Sequence, residues 1–152
     1  MKINGEYTFD GPREEVWKIL RDPDMLVLAL PGTKSLKQVG ENEYEGELLI
    51  RLGPIAGSFG GKLTISNERP PENITLKVEG NGKIGFVNGS GDVVFIEQGG
   101  SKTLIKYSGE IQIGGRVASV GQRLFDTVSK SMIDQGLNKL NDILKQRVAA
   151  LK

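Results

Sequence analysis

Between Thr33 and about Ile113, several segments alternate apolar and polar residues. In YEGELLIRL, Tyr44, Gly46, Leu48, Ile50 and Leu52 share one phase, while Glu45, Glu47 and Arg51 take the other. SFGGKLTIS sets Phe59, Gly61, Leu63 and Ile65 against Lys62, Thr64 and Ser66. ITLKVEG sets Ile74, Leu76 and Val78 against Thr75, Lys77 and Glu79. TLIKYSGEIQI sets Ile105, Tyr107, Gly109, Ile111 and Ile113 against Lys106, Ser108, Glu110 and Gln112. Successive side chains of a strand point to opposite faces. The pattern therefore predicts an antiparallel sheet of about six or seven strands, covered on one face and wet on the other. The opening segment, with Ile3, Gly5, Tyr7 and Phe9 in phase, joins the same sheet.

The period lengthens on both sides of this region. FDGPREEVWKIL predicts a short helix, with Asp10 or Gly11 as cap, Pro12 in the first position, and Glu14 and Glu15 at the positive end. DPDMLVLAL predicts a second, capped by Asp22 and stopped by the turn Pro31-Gly32. From about Ala118 to Leu151, Val120, Leu124, Val128 and Met132 form a row that continues as Ile133, Leu137, Leu140, Leu144, Val148 and Leu151. That is one long amphipathic helix, about 50 Å at 1.5 Å per residue. Gly136 inside it marks a kink or a close contact. A one-sided sheet must bury its apolar face, and only the last helix is large enough to cover it. The expected fold class is α+β: one domain over residues 1–152 in which a curved antiparallel sheet grips the C-terminal helix.

Residues 80 to 89, GNGKIGFVNG, carry the spacing G-x-G-x-x-G at Gly80, Gly82 and Gly85. A dinucleotide-binding turn needs a helix directly after the glycines, because the helix N-terminus holds the pyrophosphate. FVNGSGDVVFIE follows instead and is a poor helix former, whereas Asn81-Gly82 is a strong hairpin signal. These glycines are expected to turn and bend a hairpin, and no cofactor is expected.

Composition then removes most chemistry. The 152 residues contain neither Cys nor His, which leaves no Ser-His or Cys-His pair and no ordinary zinc site. Any general base would have to be a carboxylate, Lys or Tyr. Lys plus Arg number 20 against 19 Asp plus Glu, so no net basic field exists to hold nucleic acid or an anionic membrane by charge alone. The N-terminus lacks an apolar signal region and no apolar run is long enough to span a bilayer, so a cytoplasmic protein is expected.

Several short motifs together carry a resemblance. They are Val16-Trp17 with Leu20, Asp22-Pro23, Pro31-Gly32, Tyr44, and Gly53-Pro54 with Phe59. They continue through Gly80, Gly82, Gly85 and Gly89 to GGRVASVGQRL, from Gly114 to Leu124. The chain resembles the family of the carbon monoxide dehydrogenase G-subunit, within the START-like helix-grip (SRPBCC) superfamily. The resemblance implies a lipophilic cavity between sheet and helix. It also implies a role beside a molybdenum-containing dehydrogenase in maturation, quinone handling or recruitment to the inner face of the membrane. Two departures stand out. Ala29 occupies a position where the family commonly has Cys, so no thiol role carries over. The chain stops at Lys152, where many members continue toward the membrane, so anchoring by that route does not carry over.

The residues bear on the cavity independently. Gly5, Gly46, Gly61 and Gly109 fall in the inward phase, where a filled core would want side chains. They make space for a ligand, or they permit curvature and close helix approach. A cavity would be lined by Ile50, Leu63, Leu76, Tyr107, Gly109 and Ile111 from the sheet, and by Leu124, Phe125, Val128 and Met132 from the helix. Ile84, Phe86, Arg116 and Arg123 would stand at its mouth. No charged residue occupies an inward position in the alternating strands, which suits an apolar partner molecule. Tyr7, Tyr44 and Tyr107 are the available polar handles. The expected function is non-enzymatic binding of a quinone or lipid-like molecule. The alternatives are a docking or maturation factor for the dehydrogenase and, third, an enzyme of the polyketide-cyclase kind.

Overall fold

The computed structural model describes residues 1–29, 32–52 and 54–151. Seven strands form one antiparallel sheet: β1 (Lys2–Phe9), β2 (Thr33–Gly40), β3 (Glu43–Leu52), β4 (Ile55–Arg69), β5 (Asn73–Gly82), β6 (Gly85–Gln98) and β7 (Lys102–Gly114). Their order is β1-β7-β6-β5-β4-β3-β2, a meander with β1 folded back onto β7. The sheet is open, with β1 and β2 at its edges. Helices α1 (Arg13–Leu20) and α2 (Pro23–Ala29) fill the link from β1 to β2, and α3 (Gln122–Ala150) closes the chain. The period-two phases hold. Phe9, Phe59, Leu63, Ile65, Ile74, Phe95 and Ile105 are all buried, on the face that packs against the helices. Pro31 of the expected stop, Gly53 of the Gly53-Pro54 pair and Lys152 lie outside the described residues.

Three local expectations change. The hairpin of β5 and β6 forms, but its turn is Lys83-Ile84, with Gly82 opposite Gly85 and Asn81 inside the ladder opposite Phe86. Gly85 takes φ +126°, a conformation open to glycine and costly for other residues, and this places the turn two residues beyond Asn81. No helix follows these glycines. The last helix starts at Gln122 rather than Ala118, because a 3₁₀ turn (Gly115–Val120) precedes it and Gly121 breaks the chain at φ +89°. Its 29 residues span about 44 Å. Gly136 is buried within it.

The third change concerns Asp10, which caps nothing; the position before α1 belongs to Pro12, without a side-chain cap. The backbone N–H of Asp10 donates to Asn141 Oδ1 at 2.8 Å, and Asn141 Nδ2 donates to Asp10 Oδ2 at 2.9 Å. The buried hydroxyl of Thr103 donates to the carbonyl of Gly11 at 2.9 Å. The corner between β1 and α1 is thus tied to α3 on one side and β7 on the other. Asp22 does cap α2, accepting from the N–H of Asp24 at 3.0 Å.

This corner is expected to make stability pH-dependent. The hydrogen bond from Asn141, and then the charges of Lys145 and Lys102, hold the Asp10 carboxyl below the usual carboxylate range. A depressed folded pKa stabilises the fold above the ordinary carboxylate value, and that contribution is lost as pH falls through the folded value. Denaturant midpoints measured from neutral pH down through the carboxylate range are expected to fall less steeply for Asp10→Asn than for the wild type. Parallel curves would mean that Asp10 is not coupled to folding.

Candidate functional site: a cavity between the sheet and the last helix

The apolar face of the sheet is not packed continuously. One buried cluster joins Phe9, Val16, Ile19, Phe95, Leu140 and Leu144; a second joins Ile55, Phe59, Ile84, Val117 and Phe125. A cavity of about 400 Å³ lies between them. Leu63, Leu76, Tyr107 and Leu140 bound it on the side of the first cluster, and Val87 and Ile111 on the side of the second.

Sheet register explains the gap. Across β5, β6 and β7, Val78 faces Gly89 and Gly89 faces Ile111; one pair along, Leu76 faces Gly91 and Gly91 faces Gly109. Three inward positions on two neighbouring strands therefore lack side chains. Val78 stays 44% exposed although it points inward. Ser90, Asp92, Ser108 and Glu110 also border the cavity, but strand alternation directs their side chains to the outer face. There Asp92 accepts a hydrogen bond from Thr75 at 2.6 Å.

The inward glycines are not equivalent. A Cβ on Gly109 would lie 2.8 Å from Gly91 Cα and closer still to the Ser90 carbonyl oxygen, so this glycine permits close approach of two strands. Gly46 meets the Ser35 backbone in the same way, and Gly5 is covered by the ring of Tyr107. Gly61 and Gly89 differ. A Cβ there would meet its nearest neighbour at 3.5 Å and 3.4 Å, close to ordinary packing distance, and at Gly89 that space belongs to the cavity.

Of the three tyrosine handles, two are engaged. Tyr7 donates to Asn138 Oδ1 at 2.7 Å. Tyr44 accepts from Arg21 at 3.1 Å, and the same guanidinium pairs with Glu68 at 2.8 Å. The Tyr107 hydroxyl has no hydrogen-bond partner among the described residues, and the residue belongs to the cavity wall. Burial, and then the charge of Asp134, push its pKa up, so it stays protonated and can donate.

Leu63, Leu76, Tyr107, Gly109 and Ile111 stand on the wall as the strand phases suggest. Ile50, Phe125 and Val128 pack in the second cluster instead. Leu124 and Met132 are half-buried and do not reach this wall. From α3 the wall takes Ile133, Leu137 and Leu140, while Leu20 and Leu26 come from α1 and α2. The first turns of α3 are used on the second cluster, which displaces the lining along the helix. Ile84 is 6% exposed and buried in that cluster. Phe86 is 38% exposed on the outer face, its ring over Gly114, and so is not at a mouth. Arg116 and Arg123 are exposed. Sequence reasoning missed Leu20, Leu26, Ile133, Leu137 and Leu140 on the helices and also Gly89 and Gly91 on the sheet. For the two glycines, phase with Val87, Val93 and Phe95 was the available signal, hidden by the polar look of NGSGD.

Known proteins share this fold. A crystal structure of a conserved protein from Geobacillus kaustophilus superposes with a TM-score of 0.92 at 31% identity, covering 96% of each chain. The Zhui aromatase/cyclase from Streptomyces sp. R1128 matches with a TM-score of 0.73 at 14% identity, over 97% of this chain and 95% of that one. A START superfamily protein from Mycobacterium smegmatis matches with a TM-score of 0.71 at 8% identity, over 95% and 97%. The last two speak for the fold alone, which is START-like. No curated protein matches the sequence. The model of the CoxG family, described as the G-subunit of carbon monoxide dehydrogenase, matches residues 5–145, almost the whole chain. With the open seven-stranded sheet and the gripped helix in place, the chain belongs to the carbon monoxide dehydrogenase CoxG family.

Proposed function

We propose that the cavity binds one apolar small molecule, a quinone or lipid-like compound, in support of a molybdenum-containing dehydrogenase of the carbon monoxide dehydrogenase type. The observation that carries this reading is the wall. Every side chain directed into about 400 Å³ is aliphatic except Tyr107. That volume falls within the range of small-molecule sites, roughly 300–1,000 Å³. A charged guest would lose its hydration and find no counter-charge there. The protonated Tyr107 hydroxyl supplies one donor, suited to a carbonyl oxygen of an otherwise apolar guest. Cyclase chemistry calls for proton-transfer groups at the guest, and a tyrosine held protonated is a poor base, so the wall favours binding. The link to the dehydrogenase rests on the family's description.

Native mass spectrometry tests the reading, applied to the protein as purified and again after incubation with a short-chain quinone or a phospholipid. The expected spectrum shows one guest per chain, recovered on solvent extraction. A protein that stays empty with both probes would overturn the carrier reading and leave docking to the dehydrogenase as the better one.

A further inference from the structure

Tyr107 stands in the cavity wall, but its tip reaches past it. Gly5 of β1 faces Tyr107 across the ladder, and the tyrosine ring lies over that glycine, its hydroxyl where a Cβ on Gly5 would be. β1 is an edge of the sheet, so no further strand stands beyond this hydroxyl. α3 closes that side instead: Tyr7, the next inward residue of β1, donates to Asn138 Oδ1 at 2.7 Å. Asp134 lies one turn before Asn138 on α3 and directly after Ile133 of the wall. Asp134 and Asn138 are both exposed. The seam between β1 and α3 is where the apolar wall gives way to polar groups.

The charges that act on this seam are negative. Asp134 is the charge that, after burial, pushes up the pKa of Tyr107. Burial, and then Asp10, Asp142 and Asp134, do the same to Tyr7. Lys102 and Lys145 are drawn to Asp10, at 3.7 Å each, whereas Asp134 pairs with no cation among the described residues. Tyr107 and Asp134 therefore act on an anionic guest in opposite senses. A protonated hydroxyl donates to any oxygen, and to a carboxylate most strongly. The Asp134 charge repels a carboxylate and leaves an uncharged oxygen almost unaffected. Only an uncharged head keeps the hydrogen bond without the repulsion.

We propose that the polar head of the guest sits at Tyr107 in the β1–α3 seam, and that Asp134 restricts the site to uncharged heads, such as a ketone, quinone or alcohol, against fatty-acid anions. This deepens the proposed function, and rests on it, by naming the head that the cavity accepts. Tyr107 supplies the hydrogen bond and Asp134 supplies the selection.

Calorimetric titration of the full chain with decanol and with decanoate at neutral pH tests it. The two probes share an apolar tail and differ in the charge of the head. Wild type should take decanol about 10-fold or more tighter than decanoate. Asp134→Asn should strengthen decanoate binding about fivefold and move decanol by less than about twofold. Asp126→Asn, which removes the same charge from the pair with Lys130 on α3, should change neither. Tyr107→Phe should weaken decanol about fivefold, as expected for one lost neutral hydrogen bond. Added salt should strengthen decanoate binding to the wild type and not to Asp134→Asn, because only the wild type has a repulsion to screen. Equal affinity of the wild type for both probes overturns the proposal and leaves the cavity reading intact, as does an Asp134→Asn protein unchanged toward decanoate. An equal gain in Asp126→Asn overturns it too, since the effect would then be one of net charge. Unchanged decanol binding by Tyr107→Phe overturns the placement of the head. If no variant takes up decanol, decanoate or the short-chain quinone, the cavity reading itself fails and the selection falls with it.

Discussion

Gly89→Leu is expected to abolish guest uptake while leaving the fold as stable as the wild type or slightly more so. A Cβ at this position meets Ile111 Cγ1 at 3.4 Å, and the rest of the leucine enters the cavity instead of the sheet. Glycine inside a strand costs roughly 0.5–1 kcal/mol relative to alanine, so the substitution recovers part of that while filling the space. Affinity for the quinone should fall by about 100-fold or more, on the order of 3 kcal/mol. Gly109→Leu makes the informative contrast. Its Cβ would collide with the backbone of Ser90 and Gly91, so it should destabilise the fold by about 1–3 kcal/mol or more through overpacking. Thermal melting and quinone titration of both variants separate space from strain. A folded Gly89→Leu protein that binds as tightly as the wild type would show that the guest sits elsewhere.

Leu144→Ala should be the most damaging single truncation in α3. Leu144 is 0% exposed and packs on the β1–α1 corner, where a Cβ added to Gly11 would lie 2.9 Å from its Cδ2. The neighbouring residue Asn141 is bonded to Asp10 at the same corner, which leaves the surroundings little freedom to collapse. The expected loss is about 2–5 kcal/mol. At roughly 2–4 °C per kcal/mol for a chain of this size, the melting temperature should drop by about 10 °C. Leu151→Ala, at a residue 68% exposed, should stay within about 0.5 kcal/mol. A loss below about 1 kcal/mol for Leu144→Ala would mean that the helix is held mainly by its first turns.

Much of the fold was legible because its forces are local and periodic. Alternation in β3, β4, β5 and β7 identified both strands and their buried faces, since neighbouring side chains must point apart. The Asp22 cap was visible because capping involves residues adjacent in sequence. Asp10 looked like a cap by the same logic, but it is tied to Asn141, 131 positions away, and nothing local signals such a partner. The turn of the β5–β6 hairpin moved for a similar reason, being placed by Gly85 rather than by Asn81-Gly82.

The candidate site was legible by half. Inward phase picked out Leu63, Leu76, Tyr107, Gly109 and Ile111, because facing is a property of one strand. It did not say which turn of α3 would cross above them, so Phe125 and Val128 went to the second cluster while Ile133 and Leu137 reached the wall.

By itself, the sequence determined the sheet and its apolar face, the gripped helix, the family, and a chemistry without Cys or His. Tertiary structure alone decided which glycines are empty space and which are strand contacts, because that depends on how near a neighbouring backbone comes. It also decided which turns of α3 reach the cavity wall and which pack in the second cluster, because that depends on how the helix lies across the sheet.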